Sequence, residues 1–118
     1  MHFPQTNLPN GTSVVDQGEI WWTRFPEPSG RRPVVILTRS HIISKLTDIT
    51  IAPCTTSLRP IRTRARLTTA DGLPVDCDVN LDNIQTIDKR RLEDKIVRLR
   101  SERMAEIFAA IRAAFDMP

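Results

Sequence analysis

A small, strongly curved antiparallel sheet or barrel, mainly β and closed by one C-terminal helix, is the fold this sequence predicts. Three observations predict it. Apolar residues gather in short runs rich in Val and Ile, divided by Gly, Pro and polar clusters, which is the pattern of short strands. Only the segment after Ser101 keeps a helical apolar spacing over several turns. No long helix alternates with the strands, so a parallel sheet built from βαβ units is excluded. The 118 residues fit one domain and leave little room for two.

Residues 1–16 read as a flexible N-terminal tail, because Pro4, Pro9 and Gly11 stand among many polar side chains. This stretch has no basic start and no apolar run, so it is not a signal peptide. The folded domain is expected over residues 17–118. Glu19 to Phe25 reads as a strand with Trp21 and Trp22 on opposite sides, since side chains alternate along a strand. Pro26 to Gly30 is a loop by composition. Pro33 to Thr38 is a continuous β-branched run suited to a buried strand, Arg39 to Leu46 a short helical turn, and Ile49 to Pro53 a second buried strand. Ile61 to Thr69 alternates, placing Arg62, Arg64 and Arg66 on one face and Ile61, Ala65 and Leu67 on the other. Short strands follow near Cys77–Leu81 and Ile84–Ile87, and Asp88 can cap a brief helix reaching Asp94. Ile96 to Leu99 reads as the last strand. Ser101 is the expected N-cap of a helix whose apolar stripe is Met104, Ile107, Phe108, Ile111 and Phe115.

Hydrophobic residues make up 40% of the chain and aromatics 5%, so the core is built from Ile, Val, Leu and Ala. Lys plus Arg is 17 against 14 for Asp plus Glu, and only three of the basic residues are Lys. Arginine forks onto phosphate or carboxylate in a way a Lys point charge cannot. Cys54 and Cys77 are expected as free thiols in a reducing compartment, and with only His2 and His41 present no metal centre is expected. No stretch approaches membrane-spanning length.

Gly-rich phosphate loops, histidine pairs and clustered metal ligands are all missing. Asp76 and Asp78 read as two solvated turn carboxylates. Three basic or hydroxylated segments remain. Gly30-Arg31-Arg32-Pro33 enters a buried strand, where an arginine can meet a phosphate; a solvated loop is the plainer alternative. Pro53-Cys54-Thr55-Thr56-Ser57 leaves a buried strand with three hydroxyls in a row; a polar turn is the alternative. Arg59 and the Arg62, Arg64 and Arg66 stripe fit contact with a polyanion, or an edge strand kept soluble by charge.

Taken in order, these segments resemble the MazF/PemK family. Gly18-Glu19-Ile20-Trp21 matches its opening strand, Arg32-Pro33-Val34-Val35-Ile36-Leu37 its Arg-Pro and apolar run, and Ala52-Pro53-Cys54-Thr55-Thr56-Ser57 its Pro-x-Thr turn. Gly72-Leu73-Pro74 and Asp82-Asn83-Ile84-Gln85-Thr86-Ile87-Asp88 match later motifs, although Asn83 and Gln85 stand where the family usually has Gln and Arg. The resemblance spans about residues 17–117. It implies an SH3-like barrel of the CcdB/MazF/Kid-like kind, a cytoplasmic homodimer away from any membrane, and sequence-specific cleavage of single-stranded RNA without a metal or other cofactor. It also implies a MazE-like antitoxin, acidic and partly disordered. Arg32 and Thr55 match the catalytic arginine and threonine; Arg31, Thr56, Ser57, Arg59, Arg62 and Arg64 are the accompanying candidates for RNA binding. Two other functions fit the same fold: a CcdB-like gyrase-poisoning toxin, whose Trp-Gly-Ile ending is replaced here by Asp116-Met117-Pro118, and a non-catalytic SH3-like RNA-binding module.

Overall fold

In the structure, a computed structural model that describes residues 14–118, the first three strands are rich in β-branched residues and bury most of both faces. The first three are β1 (Glu19–Arg24), β2 (Arg31–Ile36) and β3 (Asp48–Thr55), with a single helical turn α1 (Ser40–Ile43) between β2 and β3. There follow β4 (Arg64–Leu67), β5 (Cys77–Asn80), β6 (Gln85–Asp88) and β7 (Leu92–Arg98), and the chain ends on α2 (Ser101–Ala114). The sheet is antiparallel throughout, in the order β4-β5-β3-β2-β1-β7. Strand β3 organises it. Its first half pairs with β6, from Asp48↔Asp88 to Ile51↔Gln85, and its last two residues pair with β5. The sheet curves strongly but does not close: β4 and β7 stand unpaired to each other at the two ends of its order, and β6 pairs only with β3.

Alternation along the strands divides the core in two. One face collects Ile20, Trp22, Val35, Ala52, Cys54, Ala65, Leu67 and Val79 beneath Ile107 and Ala110 of α2. The other collects Trp21, Val34, Ile36, Ile49, Ile51 and Ile87, with Ile43 of α1. Trp21 and Trp22 thus serve different cores, as the alternation predicts. Burying each large side chain contributes about 1.5–3 kcal/mol, so the two-sided burial of β1 to β3 makes them the rigid centre of the molecule.

Several boundaries differ from expectation for identifiable reasons. Strand β4 is only Arg64–Leu67, because residues before it form turns and Ile61 is 48% exposed. Asp88 accepts a hydrogen bond from the Arg90 backbone N–H, yet it caps only one 3-10 turn, Lys89–Arg91. The chain then returns to strand early, since β7 is needed as the outer neighbour of β1. The N-cap of α2 is Arg100, while Ser101 is the first helical residue and its hydroxyl donates to Glu102. The buried side of α2 is Ile107 and Ala110, flanked by Met104 and Ile111; Phe108 and Phe115 are largely exposed. The small Ala110 side chain lets the helix approach the sheet. Of the tail expected over residues 1–16, residues 1–13 lie outside the described residues. At its end Val15 packs against the second core and Asp16 pairs with Arg98 at 2.7 Å.

Asp71 ties α2 to the loop after β4. Its carboxylate accepts from the Thr68 backbone N–H at 2.9 Å and from Arg103 Nε at 3.0 Å. Burial opposes its ionisation, but these bonds outweigh burial and hold its pKa below the ordinary carboxylate value. A depressed folded pKa adds stability that is complete above the unfolded value and is lost as pH falls through the folded one. Thermal melting should therefore show wild-type stability falling more steeply below about pH 4 than that of Asp71→Asn, the two curves converging in acid. Curves that stay parallel would reject this role.

Candidate functional site

The register between strands assembles the site. Val34 of β2 pairs with Pro53 of β3, and two residues beyond that pair Arg32 and Thr55 continue the same face of their strands. Thr55 pairs in turn with Asp78 of β5, and Asp78 with Arg66 of β4. Arg64 pairs with Asn80 two residues along, on the same face. The face that is apolar around Trp21, Val34 and Ile51 thus becomes polar at the Thr55 end of β3. A cavity of about 230 Å³ opens there, lined by Arg32, Thr55, Arg64, Asn80, Asn83 and Gln85. Phe25 and Ser29 of the β1–β2 loop form its rim. That loop is tight: the Phe25 N–H donates to the Gly30 carbonyl at 2.8 Å, and Gly30 has a positive φ of 65°, a conformation glycine adopts without strain.

Each cleft residue is held from its own strand. Arg32 Nη1 donates to the Cys54 carbonyl at 3.2 Å, which fixes the side chain beside Thr55. A guanidinium has five donors, so this bond leaves others for a phosphate. Thr55 Oγ1 accepts from the Ser57 backbone N–H at 3.1 Å, closing a hydroxyl-capped turn and leaving the hydroxyl proton to be donated elsewhere. Arg64 Nη1 donates to the Ser57 carbonyl at 2.6 Å. Gln85 Nε2 donates to Asn83 Oδ1 at 3.1 Å, so the two amides form one polar edge.

The neighbouring candidates divide. Thr56 and Ser57 follow Thr55 directly but do not line the cavity. Arg59 and Arg62 are exposed on the segment between β3 and β4. Arg31 points the other way from Arg32, as consecutive residues of a strand must. It is 7% exposed, stacks 4.4 Å over Trp22, and donates to Glu93 at 2.6 Å and Asp94 at 3.0 Å. Asp78 is a correction to the reading of a solvated carboxylate: it is 1% exposed within β5. Asn80 carries no local signal of a site, whereas Asn83 and Gln85 are marked in the sequence as departures within the Asp82–Asp88 motif; the pairing of β3 with β5 and β6 gathers all three.

Cys54 lies one residue from Thr55 but faces the first core. Its hydrogen bond with Cys77, reinforced by burial, raises the thiol pKa well above the ordinary value. A neutral buried thiol is a poor nucleophile. Iodoacetamide should leave the native protein unmodified and modify both cysteines only after denaturation; rapid labelling of Cys54 in the native protein would contradict this burial.

Among the described residues, no group of three His, Cys, Asp or Glu side chains gathers as a metal site, and no helix is long and apolar enough to cross a membrane.

Residues 16–115 match the family model described as PemK-like, MazF-like toxin of type II toxin-antitoxin system. A Mycobacterium tuberculosis protein named probable endoribonuclease MazF5 is 36% identical over 106 residues, covering 89% of this chain and 96% of that protein. Endoribonuclease MazF3 of the same species is 37% identical over 86 residues, covering 73% of this chain and 84% of its own. The solved structure of Mycobacterium tuberculosis toxin MazF-mt6 superposes with a TM-score of 0.78 at 33% identity, covering 85% of this chain and 98% of that one.

Proposed function

The chain belongs to the family of PemK-like, MazF-like toxins of type II toxin–antitoxin systems, and from that premise we propose that its polar cleft cuts single-stranded RNA through Arg32 and Thr55. The protein is an endoribonuclease toxin. One observation carries the assignment of the site: Arg32 and Thr55, at the ends of adjacent buried strands, line one cavity with Arg64.

RNA supplies its own nucleophile. The 2′-hydroxyl oxygen attacks the neighbouring phosphorus, the bond from phosphorus to the 5′-oxygen breaks, and that oxygen leaves with a proton. The products are a 2′,3′-cyclic phosphate and a 5′-hydroxyl. The protein must hold the attacking and leaving oxygens in line and stabilise charge growing on the phosphate. Arg32 suits the second task, because a guanidinium is charged at any working pH and reaches two oxygens at once. Thr55 donates its hydroxyl proton to the same phosphate or orients the 2′-hydroxyl. This chemistry calls for no metal or other cofactor.

Arg64, in the same cavity, grips the phosphate backbone, and the exposed Arg59 and Arg62 extend that contact along the RNA, with Thr56 and Ser57 as nearby donors. Arg31 is left out of the contact set, because its guanidinium is occupied by Glu93 and Asp94. The toxin works as a cytoplasmic homodimer, and its activity is held in check by an acidic, partly disordered antitoxin that covers the basic cleft. A solved endoribonuclease in complex with its cognate antitoxin, from a mycobacterial species, has this fold at 24% identity.

Incubation with a long unstructured RNA, followed by primer extension and end analysis, tests the reaction. Cuts at one short recurring sequence with new 5′-hydroxyl ends are expected; random cuts or 5′-phosphate ends would reject it. Removing a single arginine–phosphate pairing should lower the slope of log affinity against log salt by about 0.7 for a single strand. Arg59→Ala and Arg62→Ala should each show that decrease in a binding titration, and an unchanged slope would remove that residue from the contact set.

A further inference from the structure

Asp78, 1% exposed, is a nearly fully buried carboxylate that the sheet register brings beside the cleft, directly across from Thr55 on β3 and from Arg66 on β4. Its two oxygens are used on different partners. Oδ1 accepts from Arg66 Nε at 2.6 Å. Oδ2 accepts from the Arg59 backbone N–H at 2.7 Å and stands 3.6 Å from Arg64 Nη1. Arg64 in turn donates to the Ser57 carbonyl at 2.6 Å. The segment leaving Thr55 is therefore clamped at two points, Ser57 by Arg64 and Arg59 by Asp78, and both clamps meet at one carboxylate.

Burial suits this arrangement to positioning rather than to stability. A carboxylate taken out of water contributes little net stability even when paired, and hydrophobic residues in its place are often as good. What a buried charge does well is fix the geometry of the cations around it. Arg64 is the cation that matters, because its side chain is 13% exposed and lines the cavity with Arg32 and Thr55. Its Nε is buried and has no hydrogen-bond partner among the described residues, so the guanidinium is held through Nη1. Arg66, 45% exposed, absorbs the remaining charge of Asp78 on the outer side.

We propose that Asp78 is a positioning residue of the RNA-cleaving site: its buried carboxylate sets where the Arg64 guanidinium stands and fixes the Ser57–Arg59 segment against the cleft. The proposal rests on the ribonuclease reading of that cleft. Without the carboxylate, Arg64 remains cationic and still attracts RNA, so affinity is kept while alignment is lost. The signature is a fall in kcat with KM held or lowered, which removal of a ground-state RNA-binding contact would not give.

The test uses the full-length toxin and a short single-stranded RNA carrying its mapped cut site. Asp78→Asn should lower kcat about 10- to 100-fold, the scale of a misplaced catalytic group, with KM rising by no more than about threefold. Arg64→Ala combined with Asp78→Asn should be no slower than Arg64→Ala alone, because the two act as one unit. Asp78→Val with Arg66→Val replaces the cross-strand ion pair by an apolar pair, keeps the fold should Asp78→Asn melt, and should show the same loss of kcat. An unchanged kcat in the folded variants, or losses that multiply on the Arg64→Ala background, would overturn the role. Arg32→Ala in the same assay separates the two readings. If it still cuts, the site itself is misassigned; if it is dead while Asp78→Asn keeps full kcat, only the role of Asp78 falls.

Discussion

Arg32→Ala is expected to abolish RNA cleavage, lowering kcat by about 10³-fold or more, while the protein stays folded and dimeric. The magnitude follows from the task. Removing one preorganised donor to a developing anion costs about 10²–10³ in rate, and a cationic arginine on a transferring phosphate is worth more. The fold survives because little depends on this side chain. Arg32 is half-buried and makes one hydrogen bond, to the Cys54 carbonyl, whose loss costs about 0.5–1.5 kcal/mol. Arg32→Lys is also expected to be slow, since an ammonium cannot fork onto two oxygens. Comparing single-turnover rates with far-UV circular dichroism and light scattering separates chemistry from folding. A folded Arg32→Ala protein that still cuts would remove Arg32 from the site.

Thr55→Val carries the second large effect, a loss of about 10²-fold in kcat with RNA affinity little changed. Valine keeps the β-branched shape that suits the end of β3 and removes only the hydroxyl. That hydroxyl has two uses: it accepts from the Ser57 N–H and it faces the cavity. Losing the first loosens the turn by about 0.5–1.5 kcal/mol; losing the second removes a donor from the reacting phosphate. Thr55→Ser restores both and should recover most of the rate. If Thr55→Val cuts as fast as wild type, the hydroxyl is only a turn cap. Should Thr55→Ser be as slow as Thr55→Val, the methyl group is needed as well as the hydroxyl.

The central strands are legible in the sequence because their residues leave no alternative. Val34-Val35-Ile36 and Ile49 to Ala52 are too apolar and too β-branched for a surface or a helix, and both faces are buried. Arg32 and Thr55 can be named at once from the ordered motifs, but why Arg32 rather than Arg31 needs the register. Neighbours on a strand face opposite sides, and pairing with β3 puts one arginine in the cavity with Thr55 and the other over Trp22. Sequence alone does not reach this, because nothing local tells which face of β2 meets the cleft. The arginine alternation at 62, 64 and 66 overstates β4 in the same way: Arg64 and Arg66 share a face, but Arg62 falls in the preceding turn. Asp78 differs from its expected place because a short polar stretch after Gly72-Leu73-Pro74 looks like a solvated turn. Its burial comes from β3 and β4 closing on both sides of β5. Asn80 is an ordinary polar residue until the pairing of β3 with β5 and β6 brings it beside Asn83 and Gln85.

The most direct test of this chemistry uses an RNA with a single 2′-deoxynucleotide on the 5′ side of the mapped cut. Without that hydroxyl there is no nucleophile to orient, so the wild-type toxin should bind this RNA as it binds the all-ribose form and leave it uncut at that position, with EDTA making no difference to cleavage of the all-ribose control. Cleavage of the substituted position at an undiminished rate would show that water or a side chain attacks the phosphate, and would contradict the chemistry assigned to Arg32 and Thr55.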